Sequence, residues 1–327
     1  MKTIQTILFL LLCIVGSSQT PKAYITNYGD NFISVVDIQT KQKITDLKTG
    51  NKPHGVAVSP DGNLIAVSNE GDNTVSLINA TSNKVIQTVQ VGKVPHQLSF
   101  SLDGKYVLTA INAEHRVDVI STVSYTIVNS VAVGRNPHIV LPMPDGKNVW
   151  VTSEGDNKIV RINLDEMKVV AEIPVFGFPR VMTATPDGKF IYLTLRWFHG
   201  LVKIDTEQNK IIGWVQLPLS SKFDSEGKAA HGLCVSPDGK TVYLTSQFTD
   251  DVTAIDVATD KILKNITVGK NPNWIELTPD GKLAVVSNTS SNDVTIIDIA
   301  KWQIIATITV GKNPKRLWVA NIKTKEG

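Results

Sequence analysis

Short apolar runs, each broken by a polar turn, follow one another along nearly the whole chain. Residues 53–94 show the unit. Pro53–Val58 is a β-rich run ended by Ser59-Pro60-Asp61-Gly62, where Pro presets φ, Asp caps locally and Gly accepts positive φ. Leu64–Ser68 follows, then the polar loop Asn69–Asn73, the alternating run Thr74–Ile78, a loop at Ala80–Asn83 and a last run Val85–Val91. The third run alternates polar and apolar residues and no stretch carries a helical period, so the unit reads as four short strands.

The unit recurs. Its turn aspartates are Asp61, Asp103, Asp145, Asp187, Asp238 and Asp280, at spacings of 42, 42, 42, 51 and 42 residues. Four strands in about 42 residues is the period of a β-propeller blade. Six turns give six complete blades. The ends supply a seventh, because Pro314–Ala320 matches the first strand of the unit while Ala23–Asn27, Ile33–Ile38 and Lys43–Leu47 match the other three. The predicted fold class is therefore all-β, a single seven-bladed propeller of four-stranded blades over residues 19–327. Pairing the N- and C-terminal strands in one sheet closes the ring and leaves no open edge.

The strand texts Ala23-Tyr24-Ile25-Thr26-Asn27, Val149-Trp150-Val151-Thr152-Ser153 and Val242-Tyr243-Leu244-Thr245-Ser246 resemble the YVTN-type β-propeller repeat family. So do Ser34-Val35-Val36-Asp37, Thr295-Ile296-Ile297-Asp298 and the Val-Gly pairs at 91–92, 133–134, 268–269 and 310–311. The resemblance covers essentially the whole chain after its first residues. It implies the propeller fold, and it leaves activity open, since such propellers serve as surface proteins, binding proteins and enzyme domains.

Met1-Lys2, the apolar run Ile7–Val15 and the small residues Gly16-Ser17-Ser18 form a secretory-leader pattern, expected to occupy residues 1–18. The apolar run is too short to span a bilayer, and no later segment is apolar enough to do so. A periplasmic or secreted location follows as an expectation. Leu12 before Cys13 argues against a lipoprotein site. With the leader removed only Cys234 remains, set in Leu233-Cys234-Val235, and it reads as a small buried hydrophobe. The formal charge of +3 gives no support to nucleic-acid binding or to an anionic-membrane surface.

Candidate chemistry lies at one register position, just inside the first strand of each blade: His54, His96, His138, Arg180, His231, Asn273 and Lys315. In a propeller this strand lines the central channel, and its entry shares a face with the loops between strands two and three. Those loops present Tyr28, Glu70, Asn112, Glu154, Arg196, Gln247 and Thr289, with Trp197 and His199 beside Arg196. Imidazoles from His54, His96, His138 and His231 converging on one axis suit a transition metal (copper, zinc or iron). They also suit acid–base chemistry. Arg180, Arg196 and Lys315 suit a carboxylate, a phosphate or a propionate-bearing macrocycle. Trp197 and His199 offer an aromatic wall for a flat ligand, or packing beneath the neighbouring insertion.

Duplication weighs against reading four histidines as four independent signals, but Arg, Asn and Lys at the other positions mean that the scaffold does not require imidazole. Glu70 and Glu154, in near-identical Glu-Gly-Asp-Asn loops, are expected to be solvated and too far apart for a carboxylate dyad. Nine extra residues fall within Leu217–Ala230, between two blades, and read equally as a binding loop or as a tolerated surface loop.

Three functions fit these residues. The first is an extracytoplasmic binding protein holding a small anion, cofactor or metal through His54, His96, His138, His231 and Arg180. The second is a propeller enzyme (lactonase, lyase or oxidoreductase-like) using a mouth histidine as acid or base. The third is a cell-surface scaffold with an envelope protein as partner. Phosphate-cradling glycine loops, His-Glu-x-x-His, Gly-x-Ser-x-Gly and Cys-x-x-Cys-His are all absent from the sequence.

Overall fold

A computed structural model describes residues 19–218 and 230–323. The leader read over 1–18, and residues 219–229 of the insertion, lie outside the described residues. The rest forms seven four-stranded antiparallel sheets arranged as blades of one ring. Blade one spans Pro53–Gln90, blade two Pro95–Ala132, blade three Pro137–Pro174 and blade four Pro179–Gln216. Blade five spans Ala230–Thr267 and blade six Pro272–Thr309. Blade seven joins Pro314–Lys323 to Gln19–Asn27, Phe32–Asp37 and Gln42–Lys48, with Ala23 opposite Val319 and Ile25 opposite Leu317. The predicted ring, its blade count and its closure are all present.

The turns behave as their residues dictate. In blade one the Gly62 N–H donates to Ser59 O at 2.8 Å with Gly62 at φ +75°, while Ser59 Oγ donates to Asp61 Oδ1 at 2.6 Å. The middle strands are buried on both faces, so Ile65, Val67, Val75 and Leu77 are fully enclosed between neighbouring blades. Each such side chain contributes about 1.5–3 kcal/mol. Among the described residues no helix is long and apolar enough to cross a membrane.

One irregularity positions the site. In blades one to five the inner strand slips register between its first and fourth residues: Pro53/Val56, Pro95/Leu98, Pro137/Val140, Pro179/Met182 and Ala230/Leu233. This β-bulge leaves the residues in between unpaired and turns the first of them toward the channel. A hydroxyl on the second strand then fixes the bulge. The Gly55 N–H donates to Ser68 Oγ at 2.8 Å, and Ser68 Oγ donates onward to the carbonyl of His96 in the next blade. Thr194 does the same between Val181 N–H (3.1 Å) and the His231 carbonyl (3.3 Å), and Thr26 does so between Arg316 N–H (3.0 Å) and the His54 carbonyl (2.9 Å). In blade two the equivalent residue is Ala110, and Gln97 Oε1 accepts the Val140 N–H at 3.1 Å instead. Gly55 and Gly232 follow the bulged histidines because a Cβ there would lie 2.8 Å from the His96 carbonyl or 2.7 Å from Trp274 Cα.

Candidate functional site at the channel mouth

The bulges bring the register position together around the channel mouth. Ring centroids of His54 and His96 are 4.2 Å apart, and those of His96 and His138 are 4.8 Å apart. Blades one, two and three thus present an arc of three imidazoles. Lys315 of blade seven flanks one end and Arg180 of blade four the other. Lys315 Nζ sits 3.9 Å over the Tyr28 ring, and Tyr28 donates its hydroxyl to Glu70 Oε1 at 2.7 Å. Glu70 Oε2 lies 3.7 Å from His96 Nε2. At the other end Arg180 Nη1 donates to Glu154 Oε1 at 3.2 Å, and Glu154 lies 3.8 Å from His138 Nδ1.

Each end of the arc therefore carries one cation and one carboxylate, with His96 in the middle. His54, His138 and His231 are buried, whereas the His96 side chain is 17 % exposed. Glu70 and Glu154 are not the solvated loop pair expected from the sequence. A single 3-10 turn opening at Glu154 folds its side chain inward to 5 % exposure, and the Tyr28 hydroxyl holds Glu70 at the mouth.

Arg316, one residue past Lys315, was not anticipated. It is buried at 2 % exposure and crosses the channel. Nη2 reaches His138 Nε2 at 3.1 Å, Nη1 reaches Asn273 Oδ1 at 3.2 Å, and the guanidinium lies 4.2 Å over the Trp274 ring. The sequence does carry a signal for it. The same position in the other blades is Gly55, Gln97, Ile139, Val181, Gly232 and Trp274, so a full charge there breaks the pattern.

The network fixes two tautomers. His138 accepts from Arg316 at Nε2, so its Nδ1–H donates to the Arg180 carbonyl at 3.2 Å. His231 donates Nδ1–H to the Asn273 carbonyl at 2.7 Å. With both nitrogens of His138 engaged and a guanidinium between His138 and His231, the four imidazoles do not form one metal-ligand set. Among the described residues, the group whose donor atoms lie within 4.8 Å of one another is His54, Glu70 and His96. The Nδ1 atoms of His54 and His96 are buried and have no hydrogen-bond partner among the described residues.

Burial and the surrounding cations hold His54, His96, His138 and His231 well below the ordinary imidazole range, so the arc is neutral. Burial brings Lys315 down to about 8 and pushes Glu154 up to about 7, with Arg180 opposing the latter. The mouth thus combines neutral bases with Lys315, Arg180 and Arg316, an arrangement suited to an anionic or carbonyl-bearing ligand.

The 196–199 loop stands further out. Arg196 lies 5.6 Å over the Phe178 ring, and Trp197, 60 % exposed, packs 5.8 Å from the same ring. His199 is buried, 6.0 Å from the Phe248 ring, and is no exposed wall for a flat ligand. Cys234 is buried as expected.

Residues 12–141 match the YNCE-like β-propeller family model, and residues 132–304, more than half of the chain, match the model described as lactonase, 7-bladed β-propeller. The matches support a propeller family, although not the YVTN type. No curated protein matches the sequence. Among solved structures the chain is similar to Kuenenia stuttgartiensis hydrazine synthase, at 22 % identity and TM-score 0.77, covering 89 % of this chain and 99 % of that one. It is also similar to the periplasmic gluconolactonase PpgL of Pseudomonas aeruginosa, at 19 % identity and TM-score 0.76, covering 92 % and 99 %. A third is a putative 6-phosphogluconolactonase of Bacteroides uniformis, at 17 % identity and TM-score 0.75, covering 93 % and 100 %. At these identities the neighbours establish fold alone, and the family rests on the model that spans residues 132–304: the chain belongs to the seven-bladed β-propeller lactonase family.

Proposed function

We propose that this protein is a lactone hydrolase acting at the histidine-lined mouth on a small, polar or anionic sugar-acid lactone. The observation that carries the reading is His96, the accessible imidazole of a neutral arc, set between two cation–carboxylate ends. The family match and the two gluconolactonase-type neighbours favour this enzyme over the binding-protein reading.

In the proposed reaction His96 takes a proton from water as the water oxygen bonds to the lactone carbonyl carbon. The carbonyl electrons move to its oxygen, where the Lys315 ammonium and the Arg180 guanidinium meet the charge. Collapse breaks the ring C–O bond, and the proton on His96 passes to the departing alkoxide, leaving a hydroxy acid. Glu70 steadies the imidazolium as it forms, at 3.7 Å. The depressed basicity of His96 keeps it unprotonated at neutral pH.

The test is a pH-stat assay of glucono-δ-lactone and its 6-phosphate, corrected for spontaneous opening. Turnover in the wild type, with kcat in His96→Ala lower by about 10²–10⁴, is the expected result. Absence of catalysed opening of either lactone, or an undiminished His96→Ala, sinks the proposal.

The unpartnered Nδ1 atoms of His54 and His96 support a second reading, in which these two residues and Glu70 hold a divalent transition metal. Zinc titrated calorimetrically into wild type and His54→Ala decides it: saturable binding lost in the variant supports the metal, and no binding overturns it. For location, we propose that the chain works outside the cytoplasm, on the leader read over residues 1–18. Amino-terminal sequencing of the mature protein tests that assignment, and an intact Met1 refutes it.

A further inference from the structure

The far end of the channel holds a second chamber. A cavity of about 600 Å³ opens between the inner strands, near the turn Ser59–Gly62. Its walls come from the inner strands beyond the histidine register, and two layers stand out there, one and three residues further on. Trp274 belongs to the first layer, and Ser99, Leu141, Thr183, Cys234, Glu276 and Trp318 to the second. Trp274 separates this chamber from the mouth, because its ring carries Arg316 at 4.2 Å.

Among the described residues two acidic side chains line the cavity, and no Lys, Arg or His does. Asp61 is tied into its turn by Ser59 and Asn63. That leaves Glu276, whose Oε1 accepts the Trp274 indole N–H at 3.0 Å and has no ion-pair partner among the described residues. From the adjoining blade the Cys234 thiol feels its charge, and Arg316 lies beyond Trp274. A carboxyl in an apolar chamber without a cation is costly to ionise, and burial pushes Glu276 up to about 8. A ligand supplying the missing positive charge would convert that cost into a buried, charge-assisted hydrogen bond. Trp318 and Phe100 add aromatic surface to the same walls.

We propose that this lower cavity binds a small apolar ammonium ion, its charge pairing with Glu276 and its hydrocarbon body filling the space between Trp318, Phe100, Leu141 and Met182. The site is independent of lactone hydrolysis. It excludes anions through the lack of any basic wall residue, whereas the histidine mouth favours them.

The test uses phenethylammonium, its neutral analogue phenethyl alcohol and the anion phenylacetate. Binding is followed by tryptophan fluorescence, and by calorimetry at pH 7 in two buffers of different ionisation enthalpy. Expected results are saturable binding of phenethylammonium, release of close to one proton as Glu276 ionises, at least about tenfold weaker binding of the alcohol, and no binding of phenylacetate. Glu276→Gln should weaken the amine by about tenfold or more and abolish proton release. Equal affinity for amine and alcohol, wild-type behaviour in Glu276→Gln, or no saturation by any of the probes overturns the proposal.

Discussion

Lys315 couples two properties of the mouth with opposite signs. Its ammonium flanks the imidazole arc, and burial lowers its pKa from 10.5 to about 8. Raising the pH from 7 to 9 takes the protonated fraction from about 0.9 to about 0.1, so affinity for an anion that depends on this charge falls about tenfold. Stability moves the other way. A lysine depressed in the folded state carries its burial cost below about pH 8, where both states are charged, and loses it as the folded state deprotonates first. Between pH 7 and 9 the unfolded chain holds more protons, so unfolding becomes harder by about 1.3 kcal/mol. For a chain of this size that is roughly 2 °C in Tm. The assay pairs thermal melts with anion titrations of wild type and Lys315→Met across pH 7–9. Taking the difference removes the other groups that titrate there, Cys234 among them, whose thiol burial pushes up. A wild-type-minus-variant difference in Tm that stays flat over this range, or anion affinity in Lys315→Met equal to wild type at pH 7, would refute the reasoning.

Thr194→Val removes the acceptor of the Val181 N–H and the donor to the His231 carbonyl, both buried. It should cost about 3 kcal/mol, or some 5 °C in Tm; a loss under about 1 °C would show that the hydroxyls do not hold the bulges. The imidazoles of His54, His96, His138 and His231 sit below their unfolded pKa, so the unfolded chain takes up protons first as pH falls through 6.5. Urea melts should therefore lose about 1–2 kcal/mol per imidazole from pH 7 to 5, with a shallower slope in His54→Ala/His96→Ala; equal slopes would contradict it. The buried Cys234 thiol should resist a disulfide reagent in the native protein and react fully in denaturant, and rapid native labelling would count against its burial.

The fold was legible because each blade writes its own punctuation. Pro-Asp-Gly turns, Val-Gly connectors and short apolar runs are local, and duplication repeats them until chance is excluded. The histidine register was legible for the same reason. What the sequence hid depended on the bulge. A strand read as regular sends residue 316 away from the channel, whereas the slipped inner strand lets both Lys315 and Arg316 serve it. Glu70 and Glu154 were misjudged because their loop text is polar, and only the packed structure reveals the Tyr28 hydroxyl and the Arg180 guanidinium that draw them inward. Glu276 and Trp318 were overlooked because nothing in a short inner strand says how deep the channel stays open.

The closing blade explains why both chambers depend on ring closure. Pro314–Lys323 supplies Lys315 and Arg316 to the mouth and Trp318 to the lower cavity, and it is held by pairing with Gln19–Asn27 at the opposite end of the sequence. Thr26 then ties this blade to the next by bonding both the Arg316 N–H and the His54 carbonyl. Blades one to three can set out imidazoles by local folding alone, since each histidine sits in its own bulge. The cations that complete the mouth arrive only when two segments nearly 300 residues apart in sequence meet. An anion that binds Lys315 and Arg180 together therefore binds the closed ring and not an opened one. At a hundred times its Kd such a ligand stabilises closure by about 2.7 kcal/mol. Closure is thus linked thermodynamically to occupancy of the mouth, and the terminal strand of this propeller is as much a part of the site as the histidines that first mark it.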